Sequence, residues 1–157
     1  MKKIITGGTI VTATDTYKAD VLIEDGIIQQ IALSIQDEEA EVIDASGKLL
    51  FPGGIDPHTH LDMPFNNTVT DDDWESGTIA AAFGGTTTII DFCISAGSPT
   101  LMDAIETWHS KSKDKAVIDY GFHLMIGDLN EQRLKELPEA LDKGGISSIK
   151  VFLAYAK

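Results

Sequence analysis

Two histidines two residues apart, His58 and His60, are the residues in this chain best suited to metal chemistry. Together with Asp56 they fall at i, i+2 and i+4, which in an extended segment puts all three on one face. At ~3.3 Å per residue the two imidazoles stand ~6.6 Å apart along the backbone. Side chains leaning together from that spacing can share one ion at ~2.0–2.1 Å per bond. Pro57, between Asp56 and His58, fixes the backbone and removes an N–H, which a strand's end tolerates. A close histidine pair can also stand by chance in a polar loop. Here the pair follows Gly53-Gly54 and ends a strand read as Gly54 to His58, and active sites of parallel α/β proteins gather at carboxyl ends of strands.

Two histidines do not complete a catalytic zinc site, which takes three protein ligands and an open position. The candidates for the remainder are Lys150, Asp91, Cys93, His109 and His123. His109 lies on a helical segment beside Trp108 and reads as a surface residue. His123, between Phe122 and Leu124, reads as a hydrogen-bonded core histidine. Cys93 ends a strand and reads as packing. Asp91 shares its face and can orient a ligand. Lys150 interrupts the apolar run Ile149 to Leu153. A lysine inside a strand covered on both faces is costly unless it is paired or neutral. Either it is salt-bridged at a strand end, or burial lowers its pKa so that the free amine adds carbon dioxide. The resulting carbamate has two oxygens and can bridge two metal ions ~3.5–4 Å apart.

The elements that must position these residues fall into two groups. Residues 1–52 read as the amino-terminal part of a β-sandwich: short strands at Ile4-Ile5, Thr9 to Thr12, Ala19 to Ile23, Glu41 to Asp44 and Leu49 to Phe51. Asp25-Gly26 between apolar runs predicts a tight hairpin. From 53 to 157 strands alternate with helices, which predicts a parallel sheet. The helices are Trp74 to Phe83, one opened by Ser98-Pro99, and Glu131 to Leu141. The strands after the first are Thr86 to Phe92, Val117 to Ile126 and Ile146 to Leu153. Four βα steps fit an open doubly wound sheet or the first half of a (β/α)8 barrel, and the site favours the half barrel. A whole barrel needs at least ~200 residues, so the 157-residue chain is expected to be part of a longer protein.

The net charge of −13 argues against a nucleic-acid partner. One cysteine among 157 residues excludes an intrachain disulfide framework and fits a reducing cytoplasm. Gly7, Gly8 and Thr9 interrupt any apolar signal segment, and no run approaches the ~20 residues a membrane span requires.

Three runs in order resemble one family. The run from Phe51 to Phe65, with His58-Thr59-His60 followed by Leu61-Asp62-Met63-Pro64-Phe65, is similar to the amidohydrolase superfamily and, within it, to the D-hydantoinase and dihydropyrimidinase branch. Asp119 to Leu124 and Ser148 to Tyr155 resemble the same branch, so the likeness covers the chain. Dihydroorotases and allantoinases follow the histidine pair with an Arg- or Asn-containing segment and Pro-Gly, which ranks them behind. Non-catalytic relatives usually lose metal ligands, whereas His58, His60 and Lys150 are kept.

The resemblance implies a metal-dependent barrel next to a β-sandwich, and hydrolysis of a hydantoin or dihydropyrimidine ring to an N-carbamoyl amino acid. It implies two divalent ions, usually zinc, with His58 and His60 on the more buried one and a carbamate on Lys150 bridging both. Tyr155 would donate to the developing oxyanion, and Phe65 and Phe152 would line the pocket for the ring's substituent. The full-length protein would be a cytoplasmic homotetramer acting on a small cyclic amide. Two further histidines and the general-base aspartate would come from strands beyond Lys157. The chain alone is therefore expected to be inactive and, with an open strand edge, prone to self-association.

Overall fold

The computed structural model describes residues 1–127 and 129–152. The chain divides into two compact units, one of residues 1–52 and one from Gly53 onward.

The first unit is all β. Its strands are β1 (Lys2–Thr6), β2 (Thr9–Val11), β3 (Thr16–Lys18), β4 (Asp20–Glu24), β5 (Ile27–Ala32), β6 (Glu41–Asp44) and β7 (Leu49–Leu50). They form two sheets, β5-β4-β1-β6 and β3-β2-β7. Ile10, Ala19 and Val21 are buried, with Ile5, Ile23 and Leu50 against them, so apolar residues of both sheets share one core. The β4–β5 hairpin forms at the expected dipeptide: Asp25 has φ 50° and Gly26 φ 81°, the left-handed pair a two-residue hairpin turn requires. β3 escapes the sequence pattern because all three of its residues are exposed, so no alternation marks it.

The second unit is α/β: β8 (Gly54–Asp56), β9 (Pro64–Phe65), β10 (Thr68–Val69), α1 (Trp74–Phe83), β11 (Thr86–Ile94), α2 (Leu101–Ser112), β12 (Asp119–Met125), α3 (Glu131–Asp142) and β13 (Ile149–Lys150). Its main sheet has the order β13-β12-β11-β8, and every pairing in it is parallel. Each strand adds beside its predecessor with no reversal of direction. A doubly wound sheet reverses at a switch point, and a curling half-barrel sheet does not.

Right-handed crossovers stepping one way deliver their helices to one face. The buried core joins Trp74 of α1, Leu101, Ile105 and Trp108 of α2 and Ala140 of α3 to Ile89, Cys93, Phe122 and Leu124 of the sheet. Side chains of opposite parity, Phe92 and His123 among them, belong to the other face.

Helix ends follow local chemistry. Asp73 caps α1 through the backbone N–H groups of Glu75 and Ser76, and the Ser76 hydroxyl accepts from the Asp73 N–H. Gly85, with φ 88°, ends that helix in the left-handed conformation. The second helix starts later than Ser98-Pro99 suggests. Thr100 is its cap, in a reciprocal pair with Asp103, while the carbonyls of Ser98 and Pro99 accept from Arg133. Among the described residues no helix is long and apolar enough to cross a membrane.

Candidate functional site

The strand carrying the histidine pair is shorter than its sequence suggests. β8 stops at Asp56, and His58 and His60 lie in the loop beyond it. The cause is local: Pro57 has no N–H to continue the ladder, and the Asp56 carboxylate turns back to accept from the His58 N–H at 3.0 Å. Strand parity therefore does not run from Asp56 through the histidines.

The loop is re-anchored on β11. The Thr59 N–H donates to the Ile90 carbonyl at 3.3 Å. The fully buried Asp91 accepts from the Thr59 hydroxyl at 2.9 Å and from the Leu61 N–H at 2.8 Å through one oxygen, and from its neighbour's Phe92 N–H at 2.6 Å through the other. Burial pushes the Asp91 carboxyl above its ordinary range, while the bonds from Leu61, Phe92 and Thr59 pull it back. The orienting role expected of Asp91 is thus exerted on the residues flanking His60. Gly77 of α1 leaves room for this loop, since a Cβ there would meet Leu61 Cδ2 at 2.4 Å.

With both neighbours held, the imidazoles converge. The ring centroids of His58 and His60 are 5.1 Å apart, nearly perpendicular at 84°. His58 is exposed and His60 half-buried. Desolvation pushes the His60 pKa down, reinforced by Lys150 and His58 and opposed by Asp91, so the neutral, ligand-competent form is favoured. Its Nδ1 is buried with no hydrogen-bond partner among the described residues.

The centre of the arrangement is Phe92, which the sequence reading passed over. Its ring centroid lies 4.6 Å from that of His58, 4.9 Å from His60 and 4.8 Å from His123. The Lys150 ammonium stands 4.3 Å above the same ring. The available signal was parity alone: Phe92 alternates with Asp91 and Cys93, so it faces away from the helices. An open cleft of about 470 Å³ borders this floor, lined by Pro57, His58, Phe92, His123, Ser148 and Lys150 among others.

The other sequence candidates fall as follows. Lys150 is half-buried at the end of the two-residue β13, not enclosed on both faces, and its Nζ is 5.2 Å from the Phe152 ring. Phe152 is 45 % exposed, and Phe65, on the β9–β10 hairpin that the sequence reading missed, is 60 % exposed; neither lines that cleft. Tyr155 lies outside the described residues. Cys93 is fully buried in the core, and His123 is half-buried and hydrogen-bonded. His109 packs against the Phe122 and Tyr120 rings. Among the described residues no three His, Cys, Asp or Glu side chains form a metal-sized cluster; the convergent set is two histidines and a lysine.

The profile described as "Amidohydrolase family" matches residues 41–142. The chain belongs to the amidohydrolase family. Within it, this amidohydrolase chain is 63 % identical over 155 residues to the D-hydantoinase of Geobacillus stearothermophilus, a match spanning 99 % of the chain and 33 % of that relative. It is 42 % identical over 153 residues to the dihydropyrimidinase of Dictyostelium discoideum, covering 97 % of the chain and 30 % of the relative. A crystal structure of a D-hydantoinase superposes with TM-score 0.95 at 63 % identity, over 100 % of this chain and 34 % of that one. A dihydroorotase matches at 17 % identity with TM-score 0.63, covering 96 % of this chain and 42 % of that one, a likeness of fold alone. The resemblance to the D-hydantoinase and dihydropyrimidinase branch holds along the whole chain. The amidohydrolase chain spans about a third of the length of the relatives it matches.

Proposed function

We propose that this chain is the amino-terminal third of a cyclic amidohydrolase that opens a hydantoin or dihydropyrimidine ring to an N-carbamoyl amino acid. The observation that carries the reading is the convergence of His58, His60 and Lys150 on one phenyl floor at the carboxyl ends of parallel strands. The D-hydantoinase and dihydropyrimidinase relatives support the substrate class. On this reading the sheet is the first half of a (β/α)8 barrel, and residues 1–52 belong to a β-sandwich domain.

The residues fit a metal site. His60 is biased to its neutral form and holds a buried ring nitrogen with no protein partner among the described residues. His58 and His60 would hold one divalent ion, zinc by resemblance, and Lys150, as a carbamate, would join it to a second. Such ions, when bound, make water acidic enough to supply hydroxide near neutral pH. The chain's own part is positional. Asp91 fixes the loop carrying the histidines, and Phe92 keeps water from one side of the lysine and both imidazoles. Tyr155 would donate to the oxygen that becomes negative during attack on the ring carbonyl, and Phe65 and Phe152 would meet the ring's substituent. The general base would lie beyond Lys157. The protein is proposed to work as a homotetramer in the cytoplasm.

The test uses the full-length protein, with zinc content and hydantoin turnover measured in parallel. His58→Ala should lose bound zinc and turnover together. If both survive, the assignment is wrong.

A further inference from the structure

His123 makes two hydrogen bonds that the proposed reaction does not use. Its Nε2 lies 2.9 Å from the carbonyl oxygen of Pro57, the residue before His58. Its Nδ1 meets the hydroxyl of Ser148, two residues before Lys150. A carbonyl can only accept, so Nε2 carries a proton. In the neutral ring Nδ1 then holds a lone pair, and the Ser148 hydroxyl donates to it.

The sheet order gives these contacts their meaning. β11 lies between β8 and β12, so no ladder bond can join the end of β8 to β12. The His123 ring reaches across β11 on the site's face, packed on Phe92 at 4.8 Å between centroids. On its other side, the backbone N–H of Leu124 donates to the Ser148 carbonyl at 3.0 Å. One imidazole thus ties the peptide that leads into His58 to the segment that leads into Lys150.

We infer that His123 is a positioning residue, a strut that sets the separation between the histidine corner and the lysine corner of the site. This inference rests on the metal-site reading of His58, His60 and Lys150. Its energetic logic is that of groups behind a metal's direct ligands: they add no bond to the ion but fix where the ligands stand.

The experiment uses the full-length protein, three single variants and one double variant. His123→Phe keeps a ring on Phe92 and removes both hydrogen bonds. His123→Gln offers an amide N–H at the place of Nε2, able to donate to the Pro57 carbonyl. Ser148→Ala removes one hydroxyl. Zinc affinity is measured by chelator competition, and the Lys150 carbamate by 13C NMR after labelling with 13C-bicarbonate. His123→Phe should weaken zinc binding about tenfold or more, and His123→Gln should restore part of that loss. Ser148→Ala should lower carbamate occupancy and add little to His123→Phe in the double variant.

A folded His123→Phe protein with wild-type zinc affinity would overturn the strut, as would full additivity. If His123→Phe does not fold, Ser148→Ala and His123→Gln decide by the same readouts. The 15N shifts of His123 in metal-free protein separate this inference from the one beneath it. The Nε2–H tautomer is expected whether or not zinc binds, and a protonated Nδ1 with a bare Nε2 would overturn the strut. Absence of zinc from the wild-type protein would instead sink the ligand assignment.

Discussion

Replacing Asp91 tests whether the histidine loop is held from beneath. The carboxylate is fully buried and accepts three hydrogen bonds, from the Thr59 hydroxyl, the Leu61 N–H and the Phe92 N–H. Asp91→Ala orphans all three donors. The hydroxyl can rotate to another acceptor, but the two backbone N–H groups cannot, and each unsatisfied buried donor costs ~1–3 kcal/mol. Losing a buried charge offsets part of this, because desolvation already disfavours the ionised form. A net loss of ~2–4 kcal/mol follows. Asp91→Asn should cost less: one amide oxygen still serves Thr59 and Leu61, while its NH2 faces the Phe92 N–H.

The pH dependence carries a definite sign. A carboxyl whose folded-state pKa is raised binds its proton more tightly when folded. Its contribution to stability therefore falls as pH rises through the window just above its ordinary value of 3.8. Wild type should gain on Asp91→Asn as pH drops through that window. The assay is urea unfolding of the full-length protein at several pH values, with hydrogen exchange at the Leu61 amide. Asp91→Ala should strip protection from Leu61 beyond the global loss. Wild-type stability together with unchanged Leu61 protection would refute the reasoning.

Two further outcomes are expected. Gly53→Ala brings a Cβ to 2.0 Å from Thr87 Oγ1 and 2.6 Å from Thr87 Cβ, too close for a side-chain rotation to relieve; thermal or urea unfolding should register a loss of ~1–3 kcal/mol, and Thr87→Ala should recover only part of it. The Cys93 thiol is fully buried, and burial pushes its pKa far above the ordinary thiol value, so iodoacetamide should leave Cys93 unmodified in the native protein at neutral pH and label it in urea.

The features legible in the amino-acid sequence were those decided within a few residues of chain. Asp25-Gly26 closes its hairpin because a dipeptide's φ preferences need no distant partner. The first helix begins at Trp74 because Asp73 and Ser76 satisfy each other's backbone groups. The parallel sheet follows from strands alternating with helices. The histidine pair was visible as a candidate because residue types and spacing alone suggest metal ligation.

Only the tertiary structure decided how far β8 extends, since a side-chain bond from Asp56 competes there with the ladder. It also decided that Asp91 acts on Thr59 and Leu61, that Phe92 is the common floor, and that His123 spans β11 to join both corners. The last three unite residues distant in sequence, and spacing along the chain has no term for the register between strands. The order β13-β12-β11-β8 brings Lys150 and the His58–His60 loop to one phenyl ring.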